Sequence, residues 1–490
     1  MRVAPEPGTG SLHDIPGPMP LVVDLDDTLL RTDLLLETFW AGLSRDWRVL
    51  PGAALELRRG GKAGLKRYLA DAGPVQPALL PYNEEAIDVI RARRAQGGQV
   101  ILVTASDQAL AETVAGHLGL FDAVHGSDGV RNLKGPAKAA FLSDMFGTGG
   151  FAYMGDSAAD LPVWKAAGEA LTVNADAGLR RRAESAAGGP TRHLGAAARR
   201  PGPYLRQIRP HQWLKNMLVF LPAIAAHQFD AATLLAAFAA FVAFSLIASS
   251  VYVLNDLLDL ASDRSHLRKR ERPFASGAVP LSHGTWMAAG LIAGGVALSA
   301  LLGPLFLLVM AVYYALTVAY SMTLKRRLMV DIVTLACLYT LRLLAGGAAT
   351  GIGLSVWLLA FSMFLFLALA AVKRQAELVD GAARGTLTAH GRGYHVDDLP
   401  IVTAMAIASG YVSVLVMALY LNGPDVTALY GNPVPLWGIC VVLLYWISRM
   451  VMVTHRGWMT DDPIVYAVKD RVSRVCGVIV LACAVAGTLL

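Results

Sequence analysis

The chain changes character along its length in the period of its apolar positions. In the first part, "LVVDLDDT" at 21–28, "VILVTAS" at 100–106 and "FAYMGDS" at 151–157 are short Val-, Leu- and Ala-rich runs that end in polar residues. Helical stretches separate them. Strands alternating with helices predict a parallel sheet, and put those polar ends at its carboxyl edge, where open α/β folds carry their sites. Between the first two runs, "LLLETFWAGLSRDW" and "GKAGLKRYLADAG" have helical periodicity and predict a small helical cap over that edge. Phe39, Trp40 and Trp47, at helical spacing, read as core rather than ligand contacts.

From residue 210 the alternation gives way to long apolar runs. Those at 214–228, 232–254, 285–302, 304–323, 330–350, 355–372, 400–421, 434–453 and 472–490 predict nine membrane-spanning helices. Basic clusters mark alternate loops, at "RQIRPHQWLK", "DRSHLRKRERP", "KRR" 325–327, "KRQAELVDGAARG" and between His455 and Arg474. The intervening loops "GIGL" and "NGPDVTALYGNP" have no Lys or Arg. Because basic loops stay cytoplasmic, the N-terminal domain is expected inside and the C-terminus outside. The expected location is a bacterial inner membrane.

Composition agrees with that division. Of 490 residues 55% are hydrophobic and 16% charged, which excludes an ordinary soluble protein. Cys337, Cys440, Cys476 and Cys483 all lie in apolar stretches with no C-x-x-C pair, which argues against a zinc site or a disulfide framework. The opening "MRVAPEPGTGSLHDIPGPMP" has no apolar core and reads as a tail rather than a signal peptide. A Gly-, Ala- and Arg-rich stretch before residue 210 reads as a linker suited to an anionic leaflet. The expected organisation is a tail (1–19), an α/β domain (20–185), a linker (186–209) and an all-α membrane bundle (210–490).

Candidate chemistry in the bundle begins at "NDLLDLASDRSHLRKRERP", residues 255–273. On a helix, Asn255, Asp256, Asp259 and Asp263 fall within an arc of about 100°. Clustered oxygen ligands of this kind suit Mg²⁺ held together with substrate phosphates; a solvated helix end paired to Arg264 and Arg268 is the plainer alternative. Lys325 and Asp331 near the start of the fifth run, Arg342 within it, Lys215 at the first and Lys373 at the end of the sixth add charge where charge is costly. Snorkelling explains cations at span ends. It does not explain Arg342.

These residues carry a resemblance. The pattern N-D-x-x-D-x-x-x-D with a basic tail, "YSMTLK" and Asp331 resembles the UbiA superfamily of intramembrane prenyltransferases over roughly 200–490. "RPHQWLKNMLVFLP", "YSMTLKRRLMVDI" and "DDPIVYAVKDR" look most like the branch typified by decaprenyl-phosphate phosphoribosyltransferase. One departure bears on substrate, since Leu335 stands where aromatic prenyltransferases have a second acid. The resemblance implies transfer of 5-phosphoribose from phosphoribosyl pyrophosphate to a polyprenyl phosphate, with Asp256 and Asp259 catalytic. It implies Mg²⁺ on Asn255, Asp256, Asp259, Asp263 and Asp331, and phosphate contacts from Lys215, Lys269, Arg270, Arg272, Lys325, Arg342 and Lys373.

A second resemblance covers residues 20 to 185. "DLDDT" at 24–28, Thr104, a lysine in "NLKGPAKAAFL" and "GDSAAD" at 155–160 occur in the order found in haloacid dehalogenase-like phosphatases. It implies Asp24 as nucleophile, Asp26 as general acid and base, and Thr104 with Lys138 as phosphate contacts, Lys134 being the alternative lysine. Asp156 joins Asp24 on Mg²⁺, Asp26 and Asp160 complete the acids assigned there, and Asp160 orients the lysine or the metal.

The joint expectation is a bifunctional enzyme of cell-envelope glycan precursor synthesis. Its phosphatase removes the 5-phosphate that its transferase leaves. Partners are those two substrates and the membrane, with no nucleic acid, and a homo-oligomer is left open. The rival readings are an aromatic prenyltransferase fused to an unrelated phosphatase, and a non-catalytic lipid-binding scaffold.

Overall fold

The computed structural model describes residues 18–127, 133–195, 201–385, 393–423, 426, 429–459 and 462–489. Most of the expected tail, and residues 196–200 of the expected linker, lie outside the described residues. The three Val- and Leu-rich runs supply β1 (Leu21–Val23), β2 (Val100–Asp107) and β4 (Ala152–Gly155). Three more strands complete the sheet: β3 (Ala123–Ser127), β5 (Glu169–Val173) and β6 (Thr191–Leu194). All pairs are parallel, in the order β3-β2-β1-β4-β5-β6.

Alternation along the strands divides their side chains between two cores. Leu21, Val23, Leu102, Ala152 and Met154 enter one; Val22, Ile101, Val103 and Tyr153 enter the other. Both faces are therefore covered, which is why these strands read as unbroken apolar runs. β1 is flanked by β2 and β4, with Val23 opposite both Leu102 and Met154. The winding reverses at β1, so a crevice opens at the carboxyl ends of β1 and its neighbours. The sheet also continues beyond residue 185, since β6 takes up part of the stretch expected as linker.

The cap forms from two helices, α1 (Leu34–Arg45) and α2 (Val49–Ala72). Asp33 starts α1 by accepting from the amides of Leu35 (2.8 Å) and Leu36 (3.2 Å), an N-cap worth about 1 kcal/mol. Gly73 ends α2 against α1, where a Cβ would lie 1.9 Å from the Thr38 carbonyl oxygen. Trp40 is buried with Phe39 edge-on at 5.1 Å, as core residues. Trp47 is exposed.

The chain separates into two compact units. One comprises the residues up to Gln207 together with Val253–Trp286; the other comprises Ile208–Tyr252 and the residues from Met287 onward. The acidic loop therefore belongs with the α/β domain. Eight helices among the described residues are long and apolar enough to cross a membrane: Ala231–Leu258, Leu281–Leu301, Pro304–Met322, Val330–Thr350, Val356–Ala383, Val396–Leu421, Val434–His455 and Arg471–Leu489.

The ninth expected span, 214–228, is not a continuous α-helix. It is a 3₁₀ segment, Pro210–Phe220, followed by a short α-helix, Leu221–Ala225, with prolines near the start of each. Apolarity was legible there, but the missing amides and ring clashes of proline prevent uninterrupted α-helix.

Gly73→Ala is expected to destabilise the protein by about 1–3 kcal/mol through overpacking of the α1–α2 junction. Thermal unfolding of the purified protein checks this, and an unchanged midpoint would contradict the close approach.

Candidate active sites

At the crevice, the turn after β1 presents Asp24 and Asp26. Asp24 accepts from the Leu25 amide at 2.8 Å, and its Oδ1 lies 3.0 Å from the Lys138 ammonium. Lys138 is buried, whereas Lys134 is exposed. The Lys138 ammonium also donates to the Tyr153 hydroxyl (2.9 Å), which donates to Asp160 Oδ1 (2.8 Å). The other Asp160 oxygen accepts from the amides of Asp156 (3.2 Å) and Ser157 (3.0 Å) and from the Ser157 hydroxyl (3.1 Å). Both oxygens of Asp160 are thus committed to protein donors.

Asp24, Asp156 and Asp160 each place a carboxylate oxygen within 4.8 Å of the others. Burial, opposed by Lys138, raises Asp24. Burial, reinforced by Asp160 and Asp24, pushes Asp156 well above the usual carboxylate range. Among the described residues these three acids have one ion-pair partner, Lys138 on Asp24, so negative charge is in excess there. A hard divalent cation fits that deficit, and the all-oxygen donor set suits Mg²⁺. Asp24 and Asp156 have the oxygens to hold it, since those of Asp160 are occupied.

Asp26 stands apart from that cluster. Its carboxylate accepts from the Leu34 amide (2.8 Å) and the Ser106 hydroxyl (2.6 Å), and burial, aided by Asp33, pushes it up to about 7. A carboxyl held near neutrality exchanges protons readily at working pH. Thr104 is fully buried in β2 and accepts from the Ser106 amide at 3.0 Å. Two residues here escaped sequence reasoning. Tyr153 was hidden as an apolar strand residue, and Lys66 as a cap cation. Lys66 crosses from α2 to donate to the Ala105 carbonyl, beside Thr104, and burial lowers its pKa.

The acidic segment is helical with one irregular residue. The Ala231–Leu258 helix ends at Asp259, which has φ −98° and ψ 13°, and a short helix, Leu260–Ser265, restarts after it. Asp256 and Asp263 are buried and converge on the Arg272 guanidinium at 2.9 Å and 2.7 Å. Gln207 donates to the other oxygen of Asp256 at 2.8 Å. Asn255 is half-buried, while Asp259, Lys269 and Arg270 are exposed. Helical bonds nevertheless run through Asp259, from its amide to the Asn255 carbonyl (2.9 Å) and from the Asp263 amide to its own carbonyl (2.8 Å), so Asp256 and Asp263, two turns apart, meet Arg272 from one face.

In the bundle, three cations collect polar partners. Lys215 (2.7 Å) and Lys373 (3.1 Å) both donate to Asp462 Oδ2, and the Tyr339 hydroxyl lies 3.3 Å from its other oxygen. Arg342 donates to Asn216 Oδ1 at 3.0 Å, with the Phe244, Tyr313 and Tyr339 rings around its guanidinium at 4.9–5.5 Å. Asp462 was missed as a site residue, although it lies in "DDPIVYAVKDR".

Asp331, expected as a metal ligand, is buried against Arg374 at 2.6 Å and accepts from the Tyr320 hydroxyl at 2.7 Å. Its carboxylate is therefore already engaged by a buried cation. Lys325 is half-buried in its own short helical turn.

Comparison with known proteins places both halves. The model of the UbiA prenyltransferase family matches residues 216–467. The chain belongs to the UbiA prenyltransferase family. Residues 21–165 match haloacid dehalogenase-like hydrolase, so this UbiA-family chain also carries a hydrolase domain of that type. Over 470 residues it is 37% identical to "Uncharacterized protein y4nM" of Sinorhizobium fredii, covering 94% of this chain and 90% of that one. It is 38% identical to "Nodulation protein NoeC" of Azorhizobium caulinodans over 276 residues, 56% of this chain and 89% of that one. It is also 41% identical over 183 residues to "Decaprenyl-phosphate phosphoribosyltransferase" of Mycobacterium tuberculosis, 36% of this chain and 59% of that one. With eight candidate spans, this UbiA-family protein is an integral membrane protein.

Lys138→Met leaves buried carboxylates without their ammonium, and is expected to destabilise the protein by about 3–5 kcal/mol. Denaturant unfolding measures it; a loss below about 1 kcal/mol would show that Lys138 is not the main countercharge.

Proposed function

We propose that the membrane half transfers 5-phosphoribose from phosphoribosyl pyrophosphate to a polyprenyl phosphate, and that the α/β domain then removes the 5-phosphate. The observation that carries the proposal is the pairing of a phosphatase-type constellation with a transferase similar to decaprenyl-phosphate phosphoribosyltransferase.

In the transferase step, a lipid phosphate oxygen forms a bond to the anomeric carbon while the bond to pyrophosphate breaks, and the leaving group takes the electron pair. The lipid phosphate is ionised near neutral pH, so positioning replaces a general base. Lys215, Arg342 and Lys373 supply fixed positive charge in the bundle for phosphate groups. Asp462 holds the two lysines in place while substrate is absent. In the loop, Asn255, Asp256, Asp259 and Asp263 are the residues that would hold Mg²⁺, and Arg272 bridges Asp256 and Asp263. Lys269, Arg270 and Lys325 remain candidates for outer phosphate contacts. Asp331 is better read as the partner of Arg374.

In the phosphatase step, Asp24 attacks phosphorus and forms an aspartyl-phosphate as the ribose oxygen leaves. Asp26 donates a proton to that oxygen, then takes one from the water that cleaves the aspartyl-phosphate. Splitting the hydrolysis this way lowers each barrier. Thr104 and Lys138 hold the transferred phosphoryl group, and Tyr153 and Asp160 fix the lysine. A Mg²⁺ bound by Asp24 and Asp156 would draw charge from the phosphoryl oxygens. Lys66, at the cap side, adds a cation for a further anionic group of the substrate.

The nine-span arrangement belongs to this proposal. Eleven 3₁₀ residues rise about 22 Å and five α-helical residues about 7.5 Å, so Pro210–Ala225 is long enough for a ninth crossing of about 30 Å. The basic loops and the N-terminal domain would then face the cytoplasm of a bacterial inner membrane.

Mass spectrometry of the lipid formed from phosphoribosyl pyrophosphate and polyprenyl phosphate tests both steps. Wild type should yield polyprenyl-phosphoryl ribose, and Asp24→Asn should accumulate the 5-phosphorylated lipid. The dephosphorylated lipid from both would sink the coupled scheme. Absence of lipid-linked ribose in every sample would favour an aromatic prenyltransferase.

A further inference from the structure

A side chain of the phosphatase cap is joined to the transferase's acidic loop by a buried ion pair. Glu37, on α1, receives Arg264 through both oxygens, at 2.6 Å and 3.0 Å. The two side chains are only 4% and 6% exposed, so neither charge is solvated. Fork-to-fork pairing of this kind fixes orientation as well as distance. Thr32 donates to Glu37 at 2.7 Å and holds it from the cap side. On the loop side, Arg264 Nε donates to the Ala275 carbonyl at 2.9 Å.

Independent contacts tie the same loop down. Gly277 has φ +71°, and a Cβ there would lie 2.6 Å from both the carbonyl oxygen and the Cβ of Arg31. Tyr204 and His283 meet at 2.7 Å, and Gln207 holds Asp256. Arg272, three residues before Ala275, carries Asp256 and Asp263. A continuous set of short contacts therefore runs from Glu37 through Arg264 and the 272–275 turn to the acids.

We propose that Glu37 is a positioning residue for the transferase: the phosphatase cap sets the geometry of the acidic loop, and transfer depends on a residue of the other catalytic domain. The inference rests on the transferase reading given above. Cutting this contact leaves Asp256 and Asp263 with their local partner Arg272 but removes the anchor on the turn that carries it. Phosphatase chemistry at Asp24 does not involve Glu37.

The test uses full-length protein in lipid nanodiscs, comparing wild type, Glu37→Gln, Glu37→Asp and Arg264→Lys. Hydrogen exchange in residues 260–280 should accelerate by about tenfold or more in Glu37→Gln. Its kcat for lipid ribosylation should fall about ten- to a hundredfold, with KM for polyprenyl phosphate little changed. Hydrolysis of p-nitrophenyl phosphate at the wild-type rate serves as the check that the α/β domain is intact. Glu37→Asp should recover part of the lost kcat, and Arg264→Lys, which keeps charge but loses the fork, should reproduce the loss from the loop side.

Wild-type exchange in Glu37→Gln, or wild-type ribosylation by both Glu37→Gln and Arg264→Lys, would overturn the proposal. If wild type itself forms no lipid-linked ribose, the transferase reading fails instead. The exchange experiment still decides whether Glu37 holds the loop.

Discussion

A charge removed from water must find an opposite charge or a set of dipoles, and this constraint arranges the interior of the protein. Arg374 and Asp331 are both fully buried and paired within the bundle, and Arg374 also meets Glu377. Asp462 gathers Lys215 and Lys373, and Arg342 is held by Asn216 and aromatic faces. Because an unpaired buried ion costs several kcal/mol, each of these positions constrains its neighbours more tightly than apolar packing does. The exception is informative. At the end of β1 three carboxylates share one contacting ammonium, and that imbalance distinguishes a site prepared for a cation from an ion pair that is complete.

The two halves use acids in contrasting ways. In the α/β domain, Asp160 is saturated by amides and hydroxyls and serves Lys138 through Tyr153, while Asp24 and Asp156 remain crowded. In the loop, Asp256 and Asp263 are already bridged by Arg272. Among the described residues, the first arrangement sets three acids around one ammonium and the second sets two acids on one guanidinium.

How much of this was legible follows from the range of the interactions. β1, β2 and β4 were readable because burial on both faces leaves unbroken apolar runs ending in acids. β3 "AVHGS" and β6 "TRHL" lie at the sheet edges and carry mixed, half-buried residues that imitate loop. The acids at 255–263 were legible as a group, and Asp256 and Asp263 lie two helical turns apart, but their shared partner Arg272 is tertiary and the exposure of Asp259 was not marked by the spacing. Asp331 drew attention by its place in a pattern; its engagement by Arg374, some forty residues away, is tertiary and left no local trace. Asp462 and Tyr153 became visible only through the partners they meet. Glu37 looked like one polar position on an amphipathic helix.

The pairing of Glu37 with Arg264 joins residues 227 positions apart, which has a consequence for the order in which the chain is made. At synthesis rates of roughly 5–20 residues per second, Arg264 follows Glu37 out of the ribosome by about 10–45 s. The residues of the sheet and of α1 all precede Arg264 in the chain. Until Arg264 has been made, the Glu37 carboxylate lacks the guanidinium that covers it in the finished protein. The later-made acidic loop is thereby anchored to an element that precedes it in synthesis by more than two hundred residues.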